Sequence, residues 1–181
     1  MIDLSSIETF KVIDDFIPKK NQDFIDNLLN GRVEPFPWYP GKNTSVENND
    51  YIMKHIFVWD GQVESFDFID DIGMNFIQNS NITNGIIRLR AVLSTRSGKK
   101  EYNDTTPHID IIDQKHYNCV YYVNDSDGDT ILYNEDKSIM TTVSPKKGRA
   151  VLFNGNILHE ATRPKDYSKR IILNINYEDK P

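Results

Sequence analysis

The chain has 181 residues, a formal net charge of −6 and a single cysteine, Cys119. A domain of this length buries roughly 70% of the surface its unfolded chain would expose, so one core is attainable without staples, and a lone cysteine excludes an intramolecular disulfide. The acidic balance disfavours a nucleic-acid partner gripped through its phosphates, and no apolar run is long enough to span a bilayer as a helix.

No repeat, heptad array or low-complexity linker interrupts the sequence, so a single domain over 1–181 is expected, with residues 1–85 supporting a β-rich core at 86–178. The start, Met1-Ile2-Asp3-Leu4-Ser5, lacks a basic segment followed by an apolar one. A soluble, cytoplasmic protein with no membrane partner is the expectation. The first predicted helix runs over 20–30, where Phe24 and Leu28, and Ile25 and Leu29, pair at i,i+4 spacing before Gly31. Pro35, Pro37, Pro40 and Gly41 then predict a loop, and 51–59 reads as a strand. A second helix is predicted over 63–78, with Phe66, Ile69, Ile72 and Phe76 on one stripe.

From Ile86 the pattern changes to short strands separated by turn residues: 86–95, 107–112, 117–124, 129–134, 138–143, 149–154, 157–163 and 169–177. In the last, Ile171, Leu173 and Ile175 alternate with Arg170, Ile172 and Asn174, giving one apolar and one mixed face. The fold class expected is mainly β with supporting helices (α+β), the helices covering the outer face of a barrel or sandwich. Cys119, within Cys119-Val120-Tyr121-Tyr122-Val123, reads as a small buried hydrophobe. Two basic clusters, one of Arg88, Arg90, Arg96, Lys99 and Lys100 and one of Arg163, Lys165, Lys169 and Arg170, read as solvated loop rims.

Within Thr106-Pro107-His108-Ile109-Asp110 an imidazole and a carboxylate stand two residues apart, which on a strand places them on one face. The spacing alone is weak, and His159 supplies the context. It follows a strand and an Asn154-Gly155 turn, so a later strand returns a second imidazole to the barrel. Two imidazoles and one carboxylate make a facial triad, which leaves three metal positions open and suits iron(II) that must also hold a cosubstrate and dioxygen. His55 and His116 have no carboxylate partner on the same strand face and read as structural or exposed. Arg170, opposite the apolar face of the last strand, points inward, and a buried guanidinium needs an anion, such as the carboxylate of a cosubstrate, that it can grip through two parallel hydrogen bonds.

Four segments taken together resemble the iron(II)/2-oxoglutarate-dependent dioxygenase superfamily, and most of all its prolyl 4-hydroxylase-like branch: His108-Ile109-Asp110, Cys119 to Asn124, Gly128 to Leu132, and Pro145 through His159 to Arg170. The resemblance implies a double-stranded β-helix, or jelly roll, with the N-terminal helices packed on one sheet. It implies that His108, Asp110 and His159 hold Fe(II) as the catalytic centre, that Arg170 takes the distal carboxylate of 2-oxoglutarate, and that the Tyr122 hydroxyl assists it. Ascorbate is the candidate reductant. The retained Asp110 points to hydroxylation, since halogenating relatives lack this carboxylate. Two departures stand out. Residues 94–103 lack the Tyr-x-x-Gly phrase of prolyl hydroxylases, and Ile172 replaces a serine found in several relatives, with Asn174 on the same face as its substitute.

Three functions follow: hydroxylation of a prolyl residue of a protein or peptide, hydroxylation of a small molecule or free amino acid, or a catalytically silent jelly-roll binding module. The intact triad with Arg170 speaks against the last, because a binder does not need all four.

Overall fold

The computed structural model describes residues 7, 9–42, 51–80, 82, 85–96 and 106–178. Its elements in chain order are β1 (Phe10–Ile13), α1 (Lys19–Leu29), β2 (Tyr39–Lys42), β3 (Tyr51–Trp59), β4 (Gln62–Val63), α2 (Ile69–Ile72), a π-helical turn (Gly73–Ile77) and α3 (Gln78–Ser80). There follow β5 (Ile86–Thr95), β6 (Tyr117–Tyr122), β7 (Thr130–Tyr133), β8 (Ile139–Val143), β9 (Ala150–Asn154), β10 (His159–Ala161) and β11 (Lys169–Tyr177). An antiparallel sheet runs β1-β9-β6-β11-β5-β3-β2, with β4 folded back on β3, and faces a smaller sheet of order β10-β7-β8. The two sheets form the expected jelly roll.

Alternation along the central strands decides what each face does. On β5 and β11, Leu89, Ala91, Ile171, Leu173 and Ile175 join a core with Ile25, Leu28 and Leu29 of α1 and with Ile72 and Phe76. The helices thus cover one face of the large sheet. The opposite face looks toward the small sheet and packs Val92, Val120, Tyr122, Val151 and Ile172 against Leu132 and Val143. Cys119 is fully buried on the helix side with a free thiol, whose pKa burial pushes up. Among the described residues no helix is long and apolar enough to cross a membrane.

Several expectations are corrected. The second helix does not begin at Val63. Asp60 and Gly61, both at positive φ (48° and 76°), make a tight turn that returns Gln62 and Val63 to pair with Trp59 and Val58. Helix then starts at Ile69, and Phe66 is exposed rather than on a buried stripe. The predicted loop over Pro35–Gly41 closes as the edge strand β2, where Pro40 is tolerated because an edge residue needs no second ladder bond. β1, unrecognised in the sequence, pairs with β9. The predicted strand 107–112 is reduced to one isolated bridge between His108 and His159. Asn154-Gly155 does not close a hairpin either: β9 belongs to the large sheet and β10 to the small one, so the turn carries the chain between sheets. The departure noted at residues 94–103 lies mostly outside the described residues, as do Lys99 and Lys100.

Candidate active site

The two histidines meet through the backbone before their rings do. His108 N donates to the His159 carbonyl and His159 N to the His108 carbonyl, both at 3.0 Å, so the lone bridge sets the rings side by side with centroids 4.6 Å apart. Asp110 arrives through the bend that follows. Its Oδ1 lies 3.6 Å from His108 Nε2, and its Oδ2 lies 3.8 Å from His159 Nε2. One ligand atom from each of the three residues falls within 4.8 Å of the others.

Each imidazole is oriented from behind. His108 Nδ1 is 2.9 Å from the Thr106 carbonyl and His159 Nδ1 is 3.1 Å from the Ile157 carbonyl. A carbonyl only accepts, so Nδ1 carries the proton and Nε2 turns its lone pair to the cluster, the tautomer a metal requires. Burial alone would push the carboxyl of Asp110 up, but the charge of Arg90, followed by the neighbouring His108 and His159 and the hydrogen bond from Asn176, holds it well below the ordinary carboxylate range. Arg90 Nη2 donates to Oδ1 at 2.9 Å, while Asn176 Nδ2 (3.0 Å) and Asn174 Nδ2 (3.3 Å) donate to Oδ2. Burial lowers His159 to about 4. At His108 burial works in the same direction, yet the Asp110 carboxylate and the Thr106 carbonyl outweigh it, and the pKa is raised. The donor set fits a divalent transition metal: two neutral imidazoles and one ionised carboxylate, each braced by a second hydrogen bond.

These groups line a cavity of about 300 Å³ that also receives Thr130 and Arg170. Arg170, 3% exposed, donates from Nη2 to Thr130 Oγ1 at 2.9 Å, and its Nε has no hydrogen-bond partner among the described residues. No carboxylate of the described residues pairs with it. A guanidinium so placed is suited to receive an anion. Gly128 makes the room: a Cβ there would stand 3.0 Å from Arg170 Cδ and 2.7 Å from the Thr162 carbonyl. Tyr122 is fully buried and does not itself line the cavity. Its hydroxyl is 2.7 Å from Thr130 Oγ1 and 3.3 Å from the Val143 carbonyl, and the Arg170 guanidinium carbon lies 5.6 Å from its ring centroid, so it meets Arg170 both through Thr130 and by its ring. Asn174 lies at the other end of the cavity wall, on Asp110, rather than beside Arg170; four residues along a strand amount to about 13 Å.

Sequence reasoning missed Thr130, Asn176, Arg88 and Arg90. The last two were assigned to a solvated rim, but they stand on β5, register with Asn176 and Asn174 of β11, and leave only 18% and 16% of their side chains exposed. Their alternation with Leu89 and Ala91 was the available signal. His55 and His116 stay outside the cluster. His55 is buried between the Pro37 carbonyl and the Ser65 hydroxyl (2.8 Å each), and His116 is buried against Gly155.

Residues 96–178 match the family model described as the 2OG-Fe(II) oxygenase superfamily. Solved structures share the fold. An oxidoreductase of the 2OG-Fe(II) oxygenase family from Burkholderia pseudomallei superposes with a TM-score of 0.72 at 12% identity, covering 95% of this chain and 86% of its own. A Pseudomonas putida prolyl-4-hydroxylase gives 0.59 at 16% identity, over 99% of this chain and 96% of its own. The non-heme alpha-ketoglutarate-dependent epimerase SnoN from nogalamycin biosynthesis gives 0.62 at 12%, over 94% and 78%. No curated protein matches the sequence.

Proposed function

We propose that this chain is an oxidoreductase of the 2OG-Fe(II) oxygenase superfamily and that it hydroxylates an unactivated carbon, with a prolyl residue of a protein or peptide as the first substrate class to test. One observation carries the reading: a single cavity joins the His108, Asp110 and His159 donors to a buried arginine whose Nε has no hydrogen-bond partner among the described residues. His108, Asp110 and His159 would hold Fe(II) on one face, leaving the remaining positions to the cosubstrate and dioxygen. Bound there, iron and 2-oxoglutarate supply the oxidising chemistry, putting one oxygen atom of dioxygen on a substrate carbon and the other into succinate, with carbon dioxide released.

The side chains have distinct tasks. Arg170 would grip the distal carboxylate of 2-oxoglutarate through its planar fork. Thr130 Oγ1 receives protons from both Tyr122 and Arg170, so both its lone pairs are engaged and its own proton is free to turn toward that carboxylate. Tyr122 is a positioning residue behind it. Arg90, Asn174 and Asn176 keep Asp110 ionised and fix its rotamer. Ile52, Val92, Val120 and Ile172 give the cavity apolar walls that exclude water. No side chain is required as a general base.

Hydroxylation of a small molecule or free amino acid is the second reading, favoured by a cavity at the lower end of the range for ligand pockets. Both readings carry a soluble, cytoplasmic enzyme, consistent with the free buried Cys119, and ascorbate as reductant. The test is succinate release by protein supplied with Fe(II), ascorbate and 2-oxoglutarate, screened against prolyl peptides, free amino acids and nucleic acid, with His108→Ala as the inactive control. Release with a prolyl peptide supports the first reading. Release only with free amino acids supports the second, and no release above the control with any substrate removes both.

A further inference from the structure

His108 and His159 are locked to each other by paired main-chain hydrogen bonds of 3.0 Å, but Asp110 follows in a bend outside any strand. A carboxylate on such a segment reaches a metal only as well as its main chain is placed. The large sheet places it. Alternation along β5 puts Arg88 and Arg90 on one face, and the two guanidinium groups take different parts of the same residue: Arg90 Nη2 donates to Asp110 Oδ1 at 2.9 Å, and Arg88 Nη1 donates to the Asp110 main-chain carbonyl at 3.0 Å. The register of β5 against β11 sets Arg88 opposite Asn176, whose amide donates to Oδ2 at 3.0 Å. Asp110 is thereby held at both carboxylate oxygens and at its own carbonyl.

Arg88 is itself fixed. Its guanidinium carbon lies 4.2 Å from the Trp59 ring centroid, and only 18% of its side chain is exposed. That stacking depends on an irregularity in β3. Ile56 pairs with Arg90, but Val58 rather than Phe57 pairs with Leu89, so the shift of one residue brings Trp59 instead of Val58 beside Arg88. Asp60 stands on the exposed side, 3.8 Å from Arg88 Nε, where solvent screens the pair. The contacts that set the guanidinium are thus the indole on one side and the Asp110 carbonyl at its end.

We propose that Arg88 is a positioning residue of the metal site: it holds the Asp110 main chain in the bend while Trp59 holds the guanidinium, so that the carboxylate is in place before the metal arrives. The inference rests on the oxygenase reading, which puts the metal on Asp110. Charge alone predicts the opposite effect. A cation beside a divalent metal repels it, so loss of a guanidinium that acted only through its field would tighten metal binding. Loss of a contact that orients a metal ligand weakens binding instead, by about ten- to a hundredfold. The sign of the change separates the two.

The test is calorimetric titration of the full chain with Mn(II), accompanied by electron paramagnetic resonance of the bound ion and urea unfolding of the metal-free chain. Arg88→Met keeps an apolar stem over Trp59 and removes the donors and the charge. Mn(II) affinity is expected to fall about tenfold in Arg88→Met, and by less in Arg88→Lys, which keeps a donor without the planar fork, and in Trp59→Leu. The spectrum of bound Mn(II) is expected to change in Arg88→Met. Adding Trp59→Leu to Arg88→Met should cost no further affinity, because Trp59 acts through Arg88. Mn(II) affinity unchanged or raised in Arg88→Met, an unaltered spectrum in that variant, or losses that add in the double variant would overturn the proposal. So would a fall in unfolding stability with Mn(II) affinity retained, since Arg88 would then serve the fold alone. If Arg88→Met does not fold, Arg88→Lys and Trp59→Leu carry the test, and wild-type affinity in both overturns it. The wild type is first compared with His108→Ala: if it binds Mn(II) no tighter than that control, the oxygenase reading falls, and if it binds tighter while Arg88→Met matches the wild type, only this inference falls.

Discussion

Thr130→Val separates the two residues that converge on one hydroxyl. The change keeps the side-chain volume and removes Oγ1, at a position 2% exposed. Tyr122 retains the Val143 carbonyl at 3.3 Å, whereas Arg170 loses the 2.9 Å contact that tethers its fork. A hydrogen bond to a charged group contributes about 1.5–3 kcal/mol, so the variant is expected to lose about 2 kcal/mol of folding stability. An arginine without its tether must be ordered again by the ligand, which weakens 2-oxoglutarate by about tenfold or more, equivalent to about 1.4 kcal/mol. Tyr122→Phe removes the hydroxyl that faces Thr130 and the Val143 carbonyl and leaves the contact between Thr130 and Arg170, so about 1 kcal/mol of stability and less than about threefold in 2-oxoglutarate affinity are expected. Urea unfolding reads the first quantity, and calorimetric titration of the Mn(II)-loaded protein with 2-oxoglutarate reads the second. The reasoning is refuted if Thr130→Val loses stability with its 2-oxoglutarate affinity intact, or if Tyr122→Phe weakens 2-oxoglutarate more than Thr130→Val does.

Gly128→Ala would press a methyl group against the Thr162 carbonyl at 2.7 Å and the Pro164 nitrogen at 3.1 Å, backbone atoms that cannot swing aside. A stability loss of about 1–3 kcal/mol by thermal unfolding is expected, together with weaker 2-oxoglutarate binding because Arg170 Cδ also lies within 3.0 Å; an unchanged midpoint would show that the loop gives way. Metal affinity should depend on pH through His108. Its pKa is raised above 6.5, so the imidazole is protonated at and below that pH, and a proton must leave before the metal binds. Mn(II) affinity is therefore expected to fall about tenfold per pH unit below roughly 6.5 and to level off above the raised pKa of His108. His159, at about 4, stays neutral through that window and adds no second proton. A slope of two protons between pH 5 and 6, read by Mn(II) titration, would show that both histidines titrate there.

The catalytic face was legible where alternation is strong. Over 86–95 and 169–177 the alternation of apolar with polar residues set the strand bounds and the inward face of Arg170, and β5 and β11 have those bounds. Legibility failed where tertiary pairing overrides local pattern. Val63 and Phe66 fit a helical stripe, but the turn at Asp60-Gly61 captures Val63 for the sheet. Residues 107–112 look like a strand, yet the convergence of His108 and Asp110 comes from one bridge and a bend rather than from strand alternation. Arg88 and Arg90 were misassigned because a rule that sends charge runs to water does not know which way a strand faces. Asn174 was placed by face, correctly inward, but the register carries it to Asp110.

The central claim is that one cavity binds a metal through His108, Asp110 and His159 and a dicarboxylate cosubstrate through Arg170. It is tested most directly by anaerobic titration of the Fe(II)-loaded protein with 2-oxoglutarate, following the metal-to-ligand charge-transfer absorption. The account predicts a saturable band in the wild type, none in His159→Ala, and in Arg170→Gln a band whose half-saturation shifts upward by about tenfold or more. No band in the wild type, or the same half-saturation in Arg170→Gln, would contradict it.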